Sequence, residues 1–295
     1  MFYFYILIFN ILILFISCNH SSGNIGTINV DNPKNVTGEL NGTIINPKGK
    51  SVKTRFLPPK GYKRVPAEKD SFTEFLRNLP IKPWNSPVLY YDGMEKDNNG
   101  VYISVVDLPI GNRDLHQCAD AVIHLRALYL WKTRQYDKIK FNFTNGFQAG
   151  YKNWMQGKRI AVNGDEVYWT DMSEPDNSLQ TFYKYLNMIY AYAGSYSLSK
   201  ELKPKPLEEI APGDVFIEGG FPGHAIIVLD VAVNPSSGEK IFLLAQSYMP
   251  AQELQILQNP NDTTLNPWYS INFGEVLYTP EYSFLPEHLK TWPAD

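Results

Sequence analysis

Residues 211–249 read APGDVFIEGGFPGHAIIVLDVAVNPSSGEKIFLLAQSYM. Three runs rich in β-branched and aromatic side chains, DVFIEGG (214–220), HAIIVLDVAVN (224–234) and KIFLLAQSYM (240–249), are divided by a Gly-rich turn and by PSSGE. That spacing predicts adjacent strands joined by tight turns. Upstream the period changes. In 112–139, Cys118, Ala121, Val122, Leu125, Leu128 and Tyr129 recur at helical intervals, with Asn112 or Asp114 as the expected cap. A second helix is expected over 178–202, with Leu179, Phe182, Tyr183, Leu186, Ile189 and Tyr190 on one face and Gly194 ending or kinking it. Helices first and neighbouring strands afterward give an α+β fold, an antiparallel sheet packed against helices.

Smaller elements fill in the body. SFTEFLRNLP (71–80) reads as a short helix capped by Ser71 and stopped by Pro80, and GYKNWMQG (150–157) is helix-like. VLYYDG (88–93) and GVYISVVDL (100–108) flank a polar turn and are expected to pair as a hairpin.

The first seventeen residues, MFYFYILIFNILILFIS, carry no charged side chain, and the character changes at Cys18. A small residue, Ser17, before a cysteine resembles a bacterial lipoprotein signal, which implies lipidation of Cys18; an uncleaved helical anchor is the alternative. Acylation would hold the mature chain on a membrane through its lipid anchor. Residues 18–55 are rich in Asn, Gly, Ser, Thr and Lys and read as a flexible tether, leaving 56–295 as a single domain.

Charge is nearly balanced, 27 basic against 30 acidic residues, with no basic run interleaved with aromatics, which argues against a nucleic-acid partner. Two cysteines are present, so lipidation of Cys18 leaves Cys118 without an intramolecular partner, either a core thiol or a reactive one. A thiol with a pKa near 8.5 needs a neighbouring imidazole to become a nucleophile, and the imidazole needs a partner that fixes its tautomer. His224 opens an apolar strand directly after glycines, and Gln246 lies on the next strand.

A cysteine on an early helix, a histidine on a later strand preceded by Gly-Asp, and a polar residue on the strand after it resemble the chain order of papain-like and NlpC-like peptidases. The resemblance implies a papain-like fold with Cys118 as nucleophile, His224 as base and Gln246 orienting the imidazole, and no cofactor. Gln117, Gly223, Tyr248 and Gln252 are the candidate substrate contacts, Gln117 as a possible oxyanion donor. Over nearly the whole body the chain also resembles a family of uncharacterised Bacteroidota lipoproteins, the domain of unknown function 4846 family, in DLHQCADA (114–121), PGDVFI (212–217), PGHA (222–225) and LAQSYMPAQ (244–252). That resemblance implies an outer-membrane or periplasm-facing lipoprotein of the cell envelope and supplies no activity.

The function expected is a lipid-anchored cysteine amidase or peptidase acting on a cell-wall peptide or another amide. Its alternative is a non-catalytic binder of envelope glycan or peptide, in which Trp154, Trp169 and Trp268 join Gln246, Tyr248 and Gln252 along a cleft. A metal site from His116, Cys118 and His224 lacks a fourth ligand, and residues two apart on a helix face different ways, so no metal is expected. His124 reads as a surface or interface histidine. Asp120, Asp214 and Glu218 offer no paired carboxylates for acid–base work, and Asp214 reads as a stabiliser of its strand's start.

Overall fold

The computed structural model describes residues 44–293. Among them is a nine-stranded sheet with all pairings antiparallel. Its main path runs Tyr102–Val105, Gln255–Leu257, Lys240–Gln246, His224–Val233, Val215–Glu218, Leu289–Thr291, Lys203–Pro204. Lys63–Arg64 pairs with the His224–Val233 strand, and Tyr269–Ser270 with Lys240–Gln246. The α+β fold with an antiparallel sheet is therefore present, and the three runs of 211–249 form its centre.

Both faces of that centre are buried, which explains why HAIIVLDVAV is apolar without alternation. Ala225, Ile227 and Leu229 join the core under the helices, while Ile226 and Val228 join a second core with Tyr269, Leu277, Phe284 and Leu289. The alternation then breaks: Val231 belongs to the second core and Ala232 to the first. A β-bulge is the cause. Leu243 pairs with Asp230 and Leu244 with Val228, so two residues of one strand face a single step of the other. The bulge places the fully buried Asp230 carboxylate against Arg64 (2.5 Å) and Arg77 (2.6 Å).

The helices are α1 (Val52–Arg55), α2 (Phe72–Arg77), α3 (Cys118–Lys132), α4 (Tyr151–Met155), α5 (Leu179–Tyr192) and α6 (Ser195–Glu201). α2 is capped by Ser71 as the sequence predicts. α3 differs from the one-striped helix expected. Residues Ala119–Leu125, Ala127, Leu128 and Leu130 are all buried, so it is a central helix covered on nearly every side. Neither Asn112 nor Asp114 caps it: Gln117 is the N-cap, and its backbone N–H donates to Asp120 Oδ2 at 3.1 Å. α5 ends at Tyr192, and Gly194 becomes the N-cap of α6.

Two further expectations need correction. Residues 88–93 and 100–108 do not form a hairpin: 102–105 pairs with Gln255–Leu257, while Leu89 bridges Glu95 and Tyr90 bridges Gln252. The tether does not extend to residue 55, because Ile45 bridges Phe56 and the buried Arg55 guanidinium donates to Gly49 O and Ser104 Oγ. A hairpin of Lys158–Asn163 with Glu166–Asp171, turned through Gly164-Asp165, adds to the expected elements. The leader 1–17, the tether up to residue 43 and Cys18 lie outside the described residues. Among the described residues no helix is long and apolar enough to cross a membrane.

Candidate active site

Cys118 is the first residue of α3, His224 the first of its strand, and Gln246 the last of the neighbouring strand. The fold brings them to one end of the sheet. Cys118 and His224 line a cleft of about 480 Å³ with Gln117, Gly223, Tyr248 and Tyr282. His224 Nε2 and Gln246 Oε1 are 2.8 Å apart. The imidazole is packed by Tyr248 (ring centroids 4.8 Å), Tyr282 (5.1 Å) and Phe284 (6.0 Å). Among the described residues no hydrogen bond joins the Cys118 sulfur to the ring; the backbone amide of Ala225, next to His224, reaches the sulfur instead.

The turn before His224 is glycine for a steric reason. A Cβ on Gly223 would stand 2.5 Å from Gly220 O, 2.7 Å from Ser195 Oγ and 2.9 Å from Glu218 O, and one on Gly219 would overlap Ser199. The turn is pressed against α6, which sets where the strand starts and so where the imidazole hangs. At the other side of the cleft, Asp114 accepts from Gln117 Nε2 (3.0 Å) and from the Ala251 amide (2.7 Å), tying the start of α3 to the loop after Gln246.

Electrostatically both Cys118 and His224 rest neutral at pH 7. Cys118 is partly exposed on the cleft, yet the shielding of its sulfur, reinforced by the nearby Asp120, pushes the thiol up to about 11. Burial lowers His224 to about 4, against the opposing pull of its bond to Gln246, and Lys96 lowers it further. Four more buried groups cluster around the first turns of α3. His116 and His124 share a ring-to-ring hydrogen bond (3.2 Å), with Tyr190 edge-on to His116 at 5.6 Å. His124 is thus a core histidine and not a surface one, because α3 is covered all round. Asp120 is also buried, and its carboxyl is raised well above the usual range by desolvation.

These histidines set an acid limit on stability. His116 and His224 fall from 6.5 to about 4 and His124 well below 6.5, all by burial, so the unfolded chain takes up protons that the native chain cannot. Their contribution is complete above pH 6.5 and lost as pH falls toward 4, at most roughly 3 kcal/mol for a group moved that far. Asp120, Asp214 and Glu201, the last raised to about 7, act the other way: their contribution is present at low pH and lost as pH rises through the raised value. Removing one imidazole isolates its share: going from pH 6.5 to 4, the urea midpoint of His124→Leu is expected to change by less in the destabilising direction than that of the wild type. Identical pH dependence in the variant and the wild type contradicts neutral burial of that imidazole.

The remaining candidates separate. Gln252 is buried outside the cleft lining, its Oε1 accepting from Lys96 Nζ and Gln255 Nε2 (both 2.8 Å), so it is not a substrate contact. Trp154 and Trp268 are core residues, Trp268 donating to Leu57 O, and Trp169 packs on Phe147; none lines the cleft. Asp214 accepts from the Ala211 amide and Lys205 Nζ (both 2.7 Å), holding the start of its strand. Glu218 accepts from the Tyr282 hydroxyl at 3.0 Å. Among the described residues no three His, Cys, Asp or Glu side chains are grouped so as to hold a metal ion. A second cavity of about 440 Å³, bordered by Lys140, Lys200, Glu201 and Trp292, contains none of the candidate residues.

Lys96, Glu281 and Tyr282 reach the site without any sequence signal, since each comes from a polar loop with no motif around it. Residues 52–291 match the family described as domain of unknown function (4846). The chain belongs to that family. The match covers α1 through the last strand of the sheet, so the cleft and all three of Cys118, His224 and Gln246 lie inside the family's domain. No curated protein and no solved structure matches the chain.

Proposed function

We propose that this domain is a papain-like cysteine hydrolase of the bacterial cell envelope, anchored to a membrane through lipidated Cys18, that cleaves an amide bond in a cell-wall peptide or a related substrate. The observation that carries the reading is the 2.8 Å contact of buried Gln246 Oε1 with Nε2 of His224, whose side chain lines the same cleft as Cys118. The amide oxygen is an acceptor only, so Nε2 keeps the ring proton and Nδ1 is the basic nitrogen. In the reaction Nδ1 takes the thiol proton as sulfur attacks the carbonyl carbon. The imidazolium then gives that proton to the leaving amine as the C–N bond breaks, and water cleaves the thioester by the same base.

The oxyanion of the tetrahedral intermediate lies at the start of α3, where backbone N–H groups of the first turn have no carbonyl within the helix to bond. Gln117 is the less suitable donor, because its side-chain amide is engaged by Asp114. The cleft mouth carries exposed Phe221 and Met249, apolar contacts suited to an uncharged side chain of the substrate. A non-catalytic envelope binder is the second reading, favoured by the upward displacement of the Cys118 thiol.

Incubating the purified chain with a set of cell-wall peptides and following amine release by mass spectrometry separates the two. Turnover that disappears in His224→Ala is expected. Binding without release, unchanged by that substitution, sinks the hydrolase and leaves the binder.

A further inference from the structure

The Gln246 amide is held at both ends. Its Oε1 faces the His224 ring and its Nε2 donates to Glu281 Oε2 at 2.6 Å. Glu281 in turn receives Lys96 Nζ on both oxygens, at 2.8 and 2.7 Å. Lys96 is a buried ammonium, 8% exposed, whose other contacts are Gln252 Oε1 at 2.8 Å and the face of the Tyr248 ring at 5.6 Å. A carboxylate paired with an ammonium only accepts, so the NH₂ end of Gln246 must point at Glu281. Reversing that amide would set its oxygen against a carboxylate oxygen.

We propose that the Lys96–Glu281 ion pair is a positioning device: it fixes the direction of the Gln246 amide, and through it the His224 tautomer that carries its proton on Nε2 and leaves Nδ1 as the acceptor. Its meaning for catalysis rests on the hydrolase reading, whereas the tautomer itself does not. A lone carboxylate would orient the amide equally well but would also favour the imidazolium. With Lys96 bound to it, Glu281 supplies direction while its charge is balanced by the ammonium. The ring's other neighbours, Tyr248, Tyr282 and Phe284, make aromatic contacts and leave the tautomer to Gln246. Glu218, the cross-strand partner of His224, is engaged by the Tyr282 hydroxyl.

The two halves of the pair have opposite consequences when removed. In Glu281→Ala the ammonium remains, the Gln246 oxygen turns toward it, and the NH₂ now facing His224 Nε2 drives the ring proton to Nδ1. In Lys96→Met the carboxylate still accepts from Gln246, so the tautomer stays.

The test is long-range proton–nitrogen NMR on the full chain labelled with ¹⁵N-histidine, at neutral pH, with His224 assigned from its absence in His224→Ala. Wild type and Lys96→Met are expected to show the Nε2–H ring and Glu281→Ala the Nδ1–H ring. Turnover in Glu281→Ala should fall about a hundredfold or more with the base's lone pair lost, through kcat with little change in KM. A wild-type ring protonated on Nδ1 overturns the proposal, as does an unswitched ring in folded Glu281→Ala. If that variant does not fold, Lys96→Met decides, since a switched ring there is also fatal. An active enzyme whose ring does not switch defeats the relay alone. A ring that switches in a chain hydrolysing nothing supports the relay and defeats the hydrolase reading.

Discussion

Replacing Asp230 by alanine is expected to cost about 3–5 kcal/mol of folding free energy, the range for removing one partner of a buried ion pair. Asp230 is fully buried, bonds Arg64 and Arg77 at 2.5 and 2.6 Å, and accepts from the Val231 amide at 2.9 Å. Without it two guanidinium groups remain beneath the sheet, and the bulge at the middle of the His224–Val233 strand loses the bond that supports it. In a domain of this size each kcal/mol moves Tm by about 2–4 °C, so calorimetry and urea denaturation both resolve the effect. A loss under about 1 kcal/mol would mean that water reaches this ion pair and that the bulge is held by packing alone.

Cys118→Ala is expected to lower turnover at least a thousandfold, because the covalent route vanishes with the sulfur and positions that act as one unit fail together. Its effect on stability should be small. Cys118 is partly exposed on the cleft and leaves at most a small space on the solvent side. His224→Ala should match it in rate, and the double variant should be no worse than either single one. Losses that multiply in the double variant would show two independent contributions and not a nucleophile with its base.

Much of this was legible in the chain because it is local. DVFIE, HAIIVLDVAV and KIFLLAQ declare their strands by composition, and each pairs with its neighbour across a short turn. Cys118, His224 and Gln246 sit at the ends of those strong elements, so their convergence follows from order once the sheet is antiparallel. What was illegible is non-local. The run 102–105 looks like one arm of a hairpin, but its partner is Gln255–Leu257, 150 to 155 residues away. Burial was misjudged where the pattern has no polar face: α3 carries His124 among Val122, Ile123 and Leu125, and only the surrounding helices and sheet decide that every side is covered. The carboxylate and ammonium behind Gln246 could not be read at all, since Lys96 and Glu281 lie 185 positions apart in loops. Gln252 shows the converse. Expected as a substrate contact, it is buried outside the cleft lining, where Lys96 holds it.

In the proposed hydrolase the sulfur at the start of α3 and the imidazole at the start of the sheet's middle strand work together as nucleophile and base. Treating the folded chain with a peptidyl acyloxymethyl ketone, and reading intact mass and the modified peptide, tests that pairing most directly. The expected result is one adduct on Cys118, formed far faster than with iodoacetamide at the same pH, and lost in His224→Ala. An adduct that forms only after denaturation, or at the same rate without His224, contradicts the account.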